Sequence, residues 1–173
     1  MSEGGPRWAR RWPTGLVVAC ATLGPLGRKL PAPGTWGSMA GMIYFALVFP
    51  GSLGVVGTNL LNAIGVFFAV VFCGEAELRM GRRDPGEVVL DEFVAIPLVY
   101  LGWPSLVAAA PGWVVLLAGF GLFRLFDILK PLGIRKLQDL PGGWGVVADD
   151  VAAALVACAA LHAARWVWLS FVA

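Results

Sequence analysis

The chain has 173 residues and a mass of 18.3 kDa, enough for one domain. It is 58% hydrophobic and only 14% charged, with a mean hydropathy of +0.78, a balance that excludes a disordered chain, a coiled coil and an ordinary soluble globule. The surplus apolar surface calls for lipid as solvent, and a net charge of +2 leaves no electrostatic footprint for a nucleic-acid partner.

Residues 1–19 form a basic, interfacial segment ahead of a membrane domain spanning 20–172. In it Arg7, Arg10 and Arg11 alternate with Trp8 and Trp12, the mixture that anchors a chain at a membrane surface. Gly24 and Pro25 interrupt the mildly apolar stretch that follows, so it does not read as a signal peptide. An uncharged run over 30–74 is too long for one span, and Pro50-Gly51-Ser52 divides it into helical segments 38–49 and 53–73. A charged loop over 75–92 comes next, and Asp84-Pro85-Gly86 marks a turn in it. Pro104 and Pro111-Gly112 then divide a second apolar stretch into 93–103 and 113–127. A second charged region precedes the last apolar segment, 151–172. The expectation is an all-α fold: a compact integral-membrane bundle of about five to six helices, some short or re-entrant. Only 53–73 and 151–172 approach the roughly 20 residues of a full span.

Charge placement sets the topology. All 24 charges fall within 1–29, 75–92, 124–150 and at Arg165, as a bilayer imposes by penalising charge at mid-helix depth. Two helical hairpins plus a final helix bring twelve of the thirteen basic residues, and all eleven acidic ones, to one face. The positive-inside rule makes that face cytoplasmic.

Elimination narrows the chemistry. His162 is the single histidine and lies in the final apolar helix, where a packing role is expected. Cys20, Cys73 and Cys158 make neither a disulfide framework nor a CxxC pair. No Gly-x-Ser-x-Gly and no Walker loop occurs. What remains is carboxylates at helix ends: Asp91-Glu92, Asp127, and Asp149-Asp150. Each has a plain structural explanation as a cap, a helix-dipole partner or an ion pair. Gathered at one face, though, five carboxylates would repel one another unless a cation sat among them, and hard oxygen donors suit Mg²⁺. Glu75, at the end of 53–73, is a further candidate ligand. Two glycine-rich stretches, APGTWGS (32–38) and PGGWG (141–145), lead into apolar helices and offer backbone N–H groups to an anion. Carboxylates, a hard cation and anion-binding turns together point to phosphate chemistry.

APGTWGS, DEF, D-x-x-K-P and GGWG followed by ADD occur in this order over residues 20–170. The set resembles the phosphatidylglycerophosphatase A family. Here Phe93-Val94-Ala95 stands where the family tends to carry a glycine, Gly133 where it tends to carry a proline, and Ala153-Ala154 where it tends to carry Ala-Gly. No carboxylate is lost. The resemblance implies a Mg²⁺-dependent membrane enzyme of the bacterial inner membrane. Such an enzyme removes the terminal phosphate of phosphatidylglycerophosphate, a phospholipid partner, at the cytoplasmic face. On that reading Asp91, Glu92, Asp127, Asp149, Asp150 and Glu75 are the metal ligands. Asp127, Asp149, Asp150 and Lys130 are catalytic, with Asp127 a ligand or the base for a water and Lys130 a phosphate contact. Thr35, Gly37, Ser38, Gly142, Gly143, Lys130 and Arg135 bind substrate. Attack by water and attack by an aspartate remain alternatives, as does the number of metal ions. A transporter or cation channel with a cytoplasmic carboxylate site is the rival from a different class.

Overall fold

The computed structural model of the chain describes residues 6–50 and 54–171. The first five residues of the basic segment, the Arg7 side chain, Gly51 and Ser52 of the expected break, and residue 172 lie outside it. Among the described residues the fold is entirely helical. In chain order the helices are α1 (Arg7–Arg10), α2 (Thr14–Ala21), α3 (Pro25–Lys29), α4 (Pro33–Val48), α5 (Gly54–Met80), α6 (Leu90–Val99), α7 (Trp103–Val107), α8 (Gly112–Leu129) and α9 (Gly143–Phe171). A 3₁₀ helix, Ile134–Asp139, joins the last two.

The five expected segments are all present, but their ends differ. Helix α4 begins five residues early because Pro33 occupies its first turn, where a missing N–H costs nothing. APGTWGS is therefore mostly the first turn and a half of a helix rather than a turn leading into one. Helix α5 runs on through Glu75 and Arg79 to Met80, carrying charge into its last turns. Helix α8 reaches Leu129 and becomes long enough to cross a membrane, joining α5 and α9 as the three helices with that length and apolarity among the described residues.

Helix α6 has ten residues, about 15 Å at 1.5 Å per residue. It is wrapped by the bundle instead of spanning, with Asp91, Val94–Pro97 and Val99 buried and its main packing against α9 and α4. Pro97 inside it frees the Phe93 carbonyl from the helical ladder. Gly41 of α4 lies against that carbonyl; a Cβ there would sit 2.5 Å from the oxygen. Central to the bundle is α9. Half of its most apolar stretch is buried inside the protein, against 22% for α5 and 17% for α8. Its inward face reads Val146, Asp149, Asp150, Ala153, Ala154, Ala157 and Leu161, a helical stripe that begins in carboxylates and continues in small residues.

The core joins Phe45, Ile96, Val99, Tyr100 and Phe123 to those alanines. Tyr100 is satisfied by donating its hydroxyl to Leu116 O at 2.8 Å. Outside, Leu47, Val56 and Ile128 are 80%, 81% and 66% exposed, side chains that only an apolar solvent would accommodate in such number. A second cluster packs Val17 and Ala21 of α2 against α5. Trp8 and Trp12 pack on Phe68 and Phe72, so the tryptophans of the basic segment lie against α5.

Helix direction alternates along the bundle. The start of α4, the end of α5, the start of α6, the end of α8 and the start of α9 meet at one end. At the other end His162 Nε2 lies 2.8 Å from Leu101 O, which accounts for the histidine as a packing residue.

Candidate active site

Asp91 and Glu92 open α6, Asp127 closes α8, and Asp149 and Asp150 lie in the second turn of α9. One carboxylate oxygen from each of Asp91, Glu92 and Asp150 falls within 4.8 Å of the others. Asp150 also feels the charges of Asp127 and Asp149. Five acids distant in sequence therefore share one buried end of the bundle. Burial, then the neighbouring Glu92 and Asp150, pushes the Asp91 carboxyl well above its ordinary range. Burial raises Glu92 as well, against a hydrogen bond with Asp91 and the nearby Arg124.

Two cations partly offset this charge. Arg124 donates Nη1 to Asp127 Oδ2 at 2.8 Å and to the Ser38 hydroxyl at 3.2 Å. Lys130 Nζ donates to Asp149 Oδ2 and lies 3.8 Å from Asp127 Oδ1. Lys130 caps α8 in the left-handed conformation, φ 43° and ψ 55°, and Pro131 prevents the helix from continuing. That strained turn aims the lysine back across the site. Burial alone would lower its pKa, but Asp149, Asp150 and Asp127 outweigh it and raise it, so the amine stays charged.

The donor set fits a hard divalent cation. Glu92 Oε2 and Asp149 Oδ1 are buried with no hydrogen-bond partner, an arrangement costly for a carboxylate unless something positive completes it. Asp91, Glu92 and Asp150 each offer one oxygen close enough to the others to share a single ion. Gly34 keeps the space open: a Cβ there would lie 2.2 Å from Glu92 Oε1.

The remaining predicted residues sit as follows. Ser38 is buried, donating to Gly34 O at 2.7 Å while accepting from Arg124. Thr35 is half-buried in the same helical turn. Gly37 presses on Val89, where a Cβ would come within 2.8 Å of the valine. Gly142, at φ 60°, turns the chain into α9. Gly143 lies so close to α5 that a Cβ would be 1.7 Å from Val70 O. Its lack of a side chain thus serves helix packing. Arg135 is exposed beside Gly142 in a cavity of about 1170 Å³ that Arg82, Arg83 and Lys136 also line. Glu75 is buried, yet it is not one of the three converging acids; it pairs with Arg79 at 3.2 Å. Arg79 in turn donates to Trp12 O at 2.8 Å and Ala9 O at 3.0 Å.

Two residues of this site were not among those expected. Arg124 had a signal, its three-residue spacing from Asp127 on one helix face. Gly34 lies within the APGTWGS stretch, but its role could not be read there, because it depends on Glu92 arriving from another helix.

The family model for phosphatidylglycerophosphatase A matches residues 19–165. The chain belongs to the phosphatidylglycerophosphatase A family. A curated relative from Haemophilus influenzae, "Phosphatidylglycerophosphatase A", is 39% identical over 80% of this chain and 82% of its own. One from Bacteroides thetaiotaomicron, named "Putative phosphatidylinositol-3-phosphatase", is 38% identical over 79% of this chain and 85% of its own. The Escherichia coli "Phosphatidylglycerophosphatase A" is 31% identical over 75% of this chain and 72% of its own. No solved structure matches the chain. As a member of this family the protein is a phosphatase, and its acidic cluster is able to hold a metal ion.

Proposed function

We propose that the chain hydrolyses the terminal phosphomonoester of phosphatidylglycerophosphate to phosphatidylglycerol and phosphate. The reaction depends on Mg²⁺, serves phosphatidylglycerol and cardiolipin biosynthesis, and takes place at the cytoplasmic face of a bacterial inner membrane. The observation that carries this reading is the convergence of Asp91, Glu92 and Asp150, with the partnerless Glu92 and Asp149 oxygens, beside Lys130 and Arg124. A site that crowds carboxylates next to fixed cations suits a phosphate brought in with its own counter-ion.

Asp91, Glu92 and Asp150 would hold the cation, with Asp149 and Asp127 available to complete its shell. When bound, Mg²⁺ supplies charge neutralisation for the phosphoryl group. Lys130 holds a phosphate oxygen as a point charge, and Arg124 keeps Asp127 in place. Asp127 accepts the proton of the attacking water as the phosphorus–oxygen bond to glycerol breaks. The leaving alkoxide takes a proton from solvent.

The test is phosphate release by purified Asp149→Asn, Asp150→Asn, Asp127→Asn and Glu92→Gln variants, with and without Mg²⁺. A loss of about 10²-fold or more with folding intact supports the assignment; activity within two- or three-fold of the parent for all four removes it. The substrate is tested in the same assay. The name of the Bacteroides thetaiotaomicron relative favours a second reading, a phosphomonoester on an inositol ring. A higher kcat/KM on phosphatidylinositol 3-phosphate than on phosphatidylglycerophosphate would select it. Cation flux in proteoliposomes without phosphate release would favour the transporter instead.

A further inference from the structure

At the end of the bundle away from the acids, α7, α8 and α9 leave a groove of about 410 Å³. Leu106, Val115, Ala118, Leu161 and Trp168 line it, and Arg165 is the one charged residue among its walls. Asp149 and Arg165 are sixteen residues apart on one continuous helix, about 24 Å at 1.5 Å per residue. That nearly spans a hydrocarbon core of about 30 Å. The groove therefore opens toward the leaflet opposite the carboxylate site.

Arg165 is held, not free to reach wherever water is. Its Nε donates to Ser105 O of α7 at 2.7 Å, which fixes the guanidinium beside the apolar walls. Its two terminal nitrogens make no hydrogen bond, and no carboxylate pairs with it among the described residues. None of the described acidic residues supplies a counter-ion for this arginine, and in a bilayer the abundant anion at that depth is a lipid phosphate. Arginine takes phosphate through two parallel N–H donors, and one Nε already tethered leaves that fork available.

We propose that this groove binds an anionic phospholipid of the opposite leaflet, its phosphodiester on Arg165 and an acyl chain along Leu106, Leu161 and Trp168. The site is separate from the carboxylate centre and does not depend on which lipid the enzyme hydrolyses. The excess negative charge of the headgroup adds to the contact, so anionic lipid is held over zwitterionic lipid of the same chain length.

The experiment is native mass spectrometry of the detergent-purified full chain, titrated with phosphatidylserine or with phosphatidylcholine of matched acyl chains. Arg165→Gln and Ala164→Phe are compared with the parent. Ala164 is an exposed residue that lines the groove, so the phenylalanine fills the groove from a position outside the buried core. The expected result is one retained phosphatidylserine per chain, weakened about tenfold or more in each variant, with phosphate release in detergent unchanged. Equal retention of the two lipids by the parent, or parent-like retention by both variants, overturns the proposal. A dimer dissociated by Ala164→Phe, with no lipid retained by the parent, assigns the groove to a second copy and overturns it as well.

Discussion

Asp91 shows what a single buried acid does to this protein. Its carboxyl is held above its ordinary pKa by burial and by Glu92 and Asp150. A raised folded-state pKa means that the folded protein binds the proton more tightly than the unfolded chain. The stability this gives is complete below the unfolded value of about 3.9 and is lost as pH rises through the folded value. At neutral pH the cation-free protein therefore carries a penalty that a divalent cation relieves. Asp91→Asn should raise the melting temperature of chelator-treated protein at pH 7, by roughly 2–4 °C per kcal/mol recovered. It should also abolish the stabilisation by added Mg²⁺ and lower activity. Thermal unfolding in detergent from pH 4 to 8, with and without Mg²⁺, reads the first two, and phosphate release reads the third. Gly34 adds a steric counterpart. The atom that a methyl group would strike is the far end of the Glu92 side chain, which can swing aside. Gly34→Ala should fold normally yet lose activity on the order of 10²-fold, since displacement by an ångström costs about that much.

Glycine has a different consequence where two elements cross. Gly143 of α9 and Gly74 of α5 touch through backbone atoms, a Cβ on Gly74 lying 2.6 Å from Gly143 N. Backbone cannot swing aside, so α9 would have to move from α5 and carry Asp149 and Asp150 with it. Gly143→Ala should therefore reduce the yield of folded protein and lower its melting temperature, whereas Gly34→Ala does neither. Size-exclusion profiles of the two variants give the contrast. The short α6 explains why the acids can converge. A helix of ten residues starts at the site and ends inside the bundle, so its N-terminal Asp91 and Glu92 face α9 and α4 instead of solvent.

The molecule as a whole is polarised. The carboxylates and most of the basic side chains lie at one end, and Arg165 with the apolar groove at the other. This predicts a labelling pattern in a chain whose Cys20, Cys73 and Cys158 are replaced by serine. Arg83→Cys should react with an impermeant thiol reagent only after spheroplasts are broken, and Ala109→Cys in intact ones. The reverse pattern would place the site at the outer face.

Much of this architecture was legible in the order of residues. Charge segregation marked the helices, because a bilayer penalises charge anywhere but at their ends, and the ordered acidic motifs marked the chemistry. Helix limits were less legible. A proline can open a helix as readily as end one, so Pro33 hid the start of α4, and charged residues can continue a helix beyond its apolar part, as Glu75 and Arg79 do in α5. The sequence by itself determined which groups are present and at which end of each helix they lie. Only the tertiary structure decided which of them meet across helices: Asp91, Glu92 and Asp150 converged, Arg124 reached Ser38, and Gly34 made room for Glu92. Those choices depend on helices close enough to touch, and distance between helices is set by packing that no local stretch of the chain contains.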